Sequence, residues 1–164
     1  MNIVKAQKKD FVEVWYLLEV LGHQMLKDEW HIRGLYFDEV RQCVDNGFAW
    51  ICRQESGIAL GVILFSENHP AGDQIASGNK KTLYVRCMAV HEQGRKNGAV
   101  KELFSFIENF AHSQGFASIC FDAFSKNQLA ITDLSSENYK QKGDFLLNTQ
   151  KIPFYYFEKD LAQK

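Results

Sequence analysis

Apolar positions change their spacing along the chain, and those changes mark the elements. Residues 2–6 (NIVKA) read as a short strand. From Lys8 the period lengthens: Phe11, Val14, Trp15, Leu18, Leu21 and Met25 recur at three and four, which predicts an amphipathic helix over 8–26. Residues 27–36 (KDEWHIRGLY) show no clean period and read as a loop, and a second, shorter helix is expected over 37–45, stopped by Asn46-Gly47. Two apolar runs, 48–53 and 58–66, flank a polar link ending in Gly57 and predict a hairpin. Residues 67–81 hold Pro70, Gly72 and Gly78 among polar residues, and read as a long surface loop.

The second half obeys the same logic. Residues 82–90 (TLYVRCMAV) form a strand and 91–98 (HEQGRKNG) a polar loop. Val100, Leu103, Phe104, Ile107, Phe110 and Ala111 then mark one face of a helix that stops at Gly115. A strand over 118–124, a short helix over 128–134 and two last strands over 139–147 and 154–159 complete an α/β order of β-α-α-β-β-β-α-β-α-β-β. With 164 residues, no internal repeat and no visible boundary, a single domain over 1–164 is expected.

Composition narrows the function classes. Hydrophobic residues make up 46% and charged residues 24%, which is ordinary globular chemistry. A formal net charge of -1 argues against a generic nucleic-acid or anionic-membrane binder, which needs a cationic surface. The 13 Phe that dominate the aromatics have core-like spacing, so RNA binding through stacked aromatics fails as well. No signal-peptide pattern and no run of about 18 apolar residues is present, and four scattered cysteines without a CxxC pair suit a reducing, cytoplasmic setting. No histidine spacing or cysteine pair suggests a metal.

Candidate chemistry centres on strand 82–90, loop 91–98 and the helix after it. A polar loop feeding a helix N-terminus offers backbone N–H groups and the positive end of the helix dipole to an anion, most commonly a phosphate. Arg95 and Lys96 add charge there, and Gly98 permits close backbone approach. The competing reading is a plain strand-to-helix turn with a solvated basic tip, and the local pattern alone does not choose between them. GxxxxGK[ST] and an early GxGxxG are both absent, which removes Walker-type and Rossmann sites. Cys87 and His91, four apart on an extended strand, would lie about 13 Å from each other, too far for a nucleophile–base pair.

The stretch LYVRCMAVHEQGRKNGAVKELFSFIENFAHSQG (83–115) resembles the acyl-CoA signature region of the GNAT superfamily of N-acyltransferases, with Met88-Ala89-Val90 at the strand end and Arg95 to Val100 as the phosphate loop. Val100 departs from the small residue usual at its place. Downstream, Asp122, Ser125, Asn127, Ala130, Gly143 and Phe145 match the family's D-x-x-S-x-N stretch and its continuation toward G-x-F, and KIPFYYFEKDL resembles its closing strand. The resemblance covers the whole chain. It implies a mixed, mostly antiparallel central sheet with helices on both faces, and transfer of an acetyl group from acetyl-CoA to a primary amine by direct attack in a ternary complex.

Residue by residue, the resemblance has the backbone of Met88, Ala89 and Val90 meet the pantetheine arm. It has Arg95, Lys96, Asn97, Gly98, Ala99 and Val100 hold the pyrophosphate, with Asn127 meeting the coenzyme from the far side. The Tyr that many members use to protonate the leaving thiolate falls on Leu134, and Asn138 replaces a helix-ending Gly. Asp28, Trp30 and Tyr36 are expected at the substrate, with Asp28 and Glu29 as candidate bases, although a solvated charged loop is the simpler reading of the two carboxylates. Arg86, mid-strand among apolar neighbours, requires a structural partner or a substrate carboxylate. Tyr139 is either a proton donor or a packed side chain, and Ser135 and Ser136 hold a water or cap a helix end. The alternative to an enzyme is a degenerate acyl-CoA-binding sensor or partner protein. The acceptor, a small-molecule or protein amine, is not encoded legibly, and a homodimer through the FYYF strand stays open.

Overall fold

The computed structural model describes residues 1–26, 37–69, 80–146 and 153–161. Its elements are β1 (Asn2–Lys5), a 3-10 turn (Lys8–Asp10), α1 (Phe11–Leu26), α2 (Phe37–Asp45), β2 (Ala49–Arg53), β3 (Ala59–Ser66), β4 (Thr82–Val90), α3 (Glu92–Lys96), α4 (Ala99–Ser113), β5 (Ser118–Phe124), α5 (Gln128–Ser136), β6 (Lys140–Phe145) and β7 (Phe154–Asp160). The strands form one seven-stranded sheet in the order β1-β2-β3-β4-β5-β7-β6. Pairing is antiparallel for β1/β2, β2/β3, β5/β7 and β6/β7, and parallel for β4/β5. Among the described residues no helix is long and apolar enough to cross a membrane.

By packing, the chain falls into two compact units. One comprises Met1–Phe65 and Cys87–Leu103, the other Ser66–Arg86 and Phe104–Lys164. In the first unit, the α1 stripe does what its spacing predicts. Val14, Leu18 and Leu21 are fully buried against Val40 and Val44 of α2 and the Ile51/Val62 face of the β2–β3 hairpin. Each such side chain stabilises by roughly 1.5–3 kcal/mol. The opposite face of the hairpin meets α4: a Cβ on Gly61 would come within 3.4 Å of Leu103. Helices therefore cover both faces of this unit's strands. The start of the predicted helix tightens into the 3-10 turn, where Asp10 accepts from the Gln7 backbone N–H at 2.9 Å.

In the second unit β5 is interior to the sheet, with β4 on one side and β7 on the other. Its ladder with β7 runs from Ser118↔Asp160 to Phe124↔Phe154. A strand covered on both faces should read as continuous apolar sequence. β5 is buried along its length except at Asp122, which is half-buried. Phe121 packs its ring against Phe104 of α4 (5.3 Å) and Tyr139 (5.0 Å) on one face. Thr82 and Ser118 share a buried hydroxyl hydrogen bond of 2.8 Å where β4 and β5 begin to pair.

Candidate functional site

The strand β4 occupies the predicted residues, but the segment after it departs from expectation. Residues 91–98 are not an irregular loop: Glu92–Lys96 form the helical turn α3. Three local features explain it. The His91 ring accepts from the Gln93 backbone N–H through Nδ1 at 3.2 Å, capping the turn. Lys96 pairs with Glu92 at 2.7 Å one turn earlier and holds its carboxyl below the usual range. Gly94 is buried because a Cβ there would sit 2.9 Å from the Leu60 carbonyl oxygen and 3.1 Å from a Val90 methyl. Only a glycine lets the turn lie this close to β3.

This turn redistributes the N–H groups expected to meet an anion. The Arg95 N–H donates to the His91 carbonyl (3.0 Å), Asn97 to Gln93 and Gly94 (3.2 and 3.1 Å), and Gly98 to Arg95 (3.2 Å). Gly98 then adopts φ +83°, with nothing among the described residues within 4 Å of where a side chain would project, and α4 starts at Ala99. Its first bond is Glu102 N–H to the Gly98 carbonyl at 3.2 Å. The N–H groups of Ala99, Val100 and Lys101 precede that bond and have no acceptor within the helix. The N–H groups of Arg95, Asn97 and Gly98 are thus engaged within the turn and those of Ala99 to Lys101 are not, while Arg95 is half-buried and Lys96 stands in solvent. Asn97 contributes a turn-closing backbone N–H. On β4, Ala89 and Val90 are buried and Met88 is half-buried.

The second unit carries the other candidates. The β4–β5 ladder runs from Thr82↔Ser118 to Val85↔Phe121 and ends there, although β4 continues to Val90. Asn127 is 8% exposed, and its Oδ1 caps α5 by accepting from the Ala130 N–H at 3.1 Å. Leu134 is buried near the end of that helix. Asn138 has φ +64°, the left-handed conformation expected of the residue replacing a glycine there. The Leu134 carbonyl accepts from the Tyr139 N–H at 3.0 Å, closing the helix end.

Tyr139 is the packed side chain and not an exposed donor. Its ring lies between Phe104 and Phe121, its hydroxyl donates to Glu108 at 3.3 Å, and Lys159 donates to the same Glu108 oxygen at 2.7 Å. Burial first, and then the Glu108 carboxylate, push its phenol far above the usual range. The Ser135 hydroxyl bonds back to the Ile131 carbonyl at 2.8 Å, a helix-internal role. Arg86 is half-buried on β4 and is not without a partner. Asp28, Glu29, Trp30 and Tyr36 lie outside the described residues.

Sequence reading missed one constellation. His69 Nε2 lies 2.8 Å from both carboxylate oxygens of Asp122, with side chains only 3% and 12% exposed. A signal existed for half of it: Asp122 is a lone charge within the apolar run SICFDAF. His69, 53 residues away in a loop, gave none. Across from Asp122 on β7 stands Tyr156, and across from Cys120 stands Glu158, whose Oε1 is buried without a hydrogen-bond partner among the described residues. Burial, reinforced by Asp122 and Glu158, pushes the Cys120 thiol well above its usual range. Among the described residues no group of three or more His, Cys, Asp or Glu is arranged to hold a metal ion.

These features can be compared with known proteins. No curated protein sequence matches the chain. In three dimensions it is similar to a GNAT-family acetyltransferase from Listeria monocytogenes 4b F2365, with a TM-score of 0.76 at 15% identity over 98% of this chain and 94% of that one. It is also similar to a ribosomal-protein-alanine N-acetyltransferase from Brucella melitensis (TM-score 0.74, 15% identity, 98% and 100% covered). A GCN5-related N-acetyltransferase from Kribbella flavida has a TM-score of 0.71 at 15% identity, with 98% and 97% covered. At such identities the likeness speaks for the fold. The sequence profile of the acetyltransferase (GNAT) family matches residues 11–132, and with three quarters of its length inside that match the chain belongs to the GNAT acetyltransferase family.

Proposed function

We propose that the protein transfers the acetyl group of acetyl-CoA to a primary amine, by direct attack of the amine in a ternary complex. The observation that carries this reading is the approach to α4: a left-handed Gly98 with open space beside it, then three N–H groups without helical acceptors. That geometry fits a phosphate-bearing coenzyme, and Arg95 and Lys96 supply charge beside it. Beyond Val85 the ladder between β4 and β5 has ended, so the backbone of Met88 and Val90 suits an extended pantetheine arm. Val100 presents only its backbone in this scheme. The Asn127 oxygen is committed to capping α5.

When bound, acetyl-CoA supplies a thioester whose sulfur departs as a thiolate, with a pKa of about 8.5 by analogy with Cys. Such a leaving group tolerates the absence of a dedicated acid, which usually contributes about 10²–10⁴-fold. Leu134 then costs rate without abolishing turnover. Positioning of the amine can carry about 7–11 kcal/mol of the barrier. For proton removal the described residues offer Asp122, a partly accessible carboxylate one residue beyond the last β4–β5 pair. One ammonium proton passes to Asp122, nitrogen bonds to the acetyl carbon, the carbon–sulfur bond breaks, and the second nitrogen proton reaches the sulfur through solvent. Asp122 returns its proton to solvent. Glu29, outside the described residues, is the second candidate for the base. A cytoplasmic setting belongs to the same reading, supported by four cysteines that are all thiols.

The test is amine-dependent release of thiol from acetyl-CoA, with spermidine, 2-phenylethylamine and an alanyl peptide as acceptors. Release above the amine-free rate supports transfer. Saturable acetyl-CoA binding with no release from any acceptor favours a non-catalytic acyl-CoA-binding protein, the reading to which the buried Leu134 lends support.

A further inference from the structure

His69 leaves β3 through a turn in which the Ser66 hydroxyl donates to the Asn68 carbonyl at 2.6 Å. Its ring is held edge-on by Tyr84 and by Phe145, each at 5.2 Å, so its plane is fixed by two aromatic walls. Nε2 meets both Asp122 oxygens at 2.8 Å. A carboxylate only accepts, so Nε2 carries the proton and donates to both oxygens. The two side chains differ in access: the imidazole is 3% exposed and the carboxylate 12%. The carboxylate is thus the more accessible member of the pair. For stability alone a packed apolar pair would serve as well as this buried polar one.

Its placement adds to the argument. Asp122 comes directly after Phe121, the last residue of β5 to pair with β4. By ladder register, the other titratable or charged groups on this face among the described residues are Tyr84 and Arg86 from β4, Cys120 from β5, Tyr156, Glu158 and Asp160 from β7, and Lys140 from β6, which also contributes the apolar Phe145. Among the described residues, His69 is the group in direct hydrogen-bond contact with both Asp122 oxygens.

We propose that His69 is the positioning residue of Asp122: its Nε2–H holds the carboxylate in one orientation, so that the remaining lone pairs meet the acceptor ammonium and take its proton. This rests on the acetyltransferase reading above. The imidazole touches no substrate and acts through Asp122 alone.

The test uses full-length His69→Ala, His69→Gln and Asp122→Asn, singly and as the His69→Ala/Asp122→Asn double variant, in the thiol-release assay with the three acceptors named above. Asp122→Asn should lower kcat by about 10²–10⁴-fold. His69→Ala should lower kcat by about 10²-fold, the loss a misplaced catalytic group brings, with KM for acetyl-CoA unchanged. His69→Gln, which keeps an N–H donor, should restore most of kcat but displace the acid limb of the kcat/KM pH profile. In the double variant the His69 loss should vanish, because its only route is Asp122. Wild-type kcat in His69→Ala, or a loss that multiplies in full with that of Asp122→Asn, overturns the assignment. Should His69→Ala not fold, the acid limb of His69→Gln decides: displaced supports, unmoved overturns. These failures leave the acetyltransferase reading standing, whereas wild-type protein that releases no thiol above the amine-free rate with any of the three acceptors overturns both.

Discussion

Gly98 offers the sharpest perturbation, because its surroundings separate a backbone effect from a charge effect. Its φ of +83° lies in the left-handed region, and a Cβ there would meet nothing among the described residues within 4 Å. Gly98→Ala therefore costs backbone strain without a clash, about 1–2 kcal/mol. At this chain length that lowers Tm by about 2–8 °C. Gly98→Glu bears the same strain and adds a carboxylate beside the three N–H groups that open α4. Repulsion from one phosphate charge about 4 Å away ranges from about 1 kcal/mol in water to about 4 kcal/mol near a protein surface. Acetyl-CoA affinity should then fall by about 5-fold to nearly 10³-fold relative to Gly98→Ala. Calorimetric titration of both variants at low and at physiological salt reads this directly, and the gap between them should narrow as salt screens it. Equal affinity of the two variants would refute the placement of phosphate at the start of α4.

Three further outcomes are expected. Gly94→Ala places a methyl 2.9 Å from the Leu60 carbonyl oxygen, and this overpacking should destabilise by about 1–3 kcal/mol in a urea titration; a neutral result would mean α3 can lift from β3 freely. Tyr139→Phe removes the hydroxyl bond to Glu108 and should leave kcat within about threefold while lowering stability by about 1 kcal/mol; a hundredfold loss of kcat would make Tyr139 the acid after all. Alkaline pH should destabilise the fold. Cys120 and Tyr139 keep their protons when folded, whereas unfolded thiol and phenol ionise from ordinary values of 9.0 and 10.0. Their contribution is complete below about pH 9 and is lost as pH rises beyond it, because the native state then binds more protons. Urea midpoints at pH 8 and 10.5 check the sign, and Cys120→Ala should flatten the decline.

Local periodicity made most of the scaffold legible. β4 and β5 occupy the residues their apolar runs predict, and α1 buries the Val14, Leu18 and Leu21 stripe that its spacing selects. The left-handed Asn138 was also readable, because few residues tolerate that conformation. α3 was not readable. Its cap is a histidine, an uncommon choice, and its glycine serves contact with Leu60, a residue 34 positions earlier, rather than breaking a helix. Tyr139 was ambiguous because the sequence does not place Glu108 and Lys159 around it. The His69–Asp122 pair joins a loop to a buried strand across 53 residues, and no short-range pattern encodes such a contact.

Acetyl-CoA binding tests the central claim most directly. Thermal unfolding is monitored with acetyl-CoA and coenzyme A, using adenosine 3′,5′-bisphosphate to isolate the phosphate contribution. Ligand at 100 times Kd should add about 2.7 kcal/mol, which raises Tm by roughly 5–11 °C for a chain of this size. A saturable rise with both thioester and thiol forms, and a smaller one with the bisphosphate, is the predicted result. A flat response up to millimolar ligand would contradict the coenzyme site at α4 and the acetyl-transfer reading built on it.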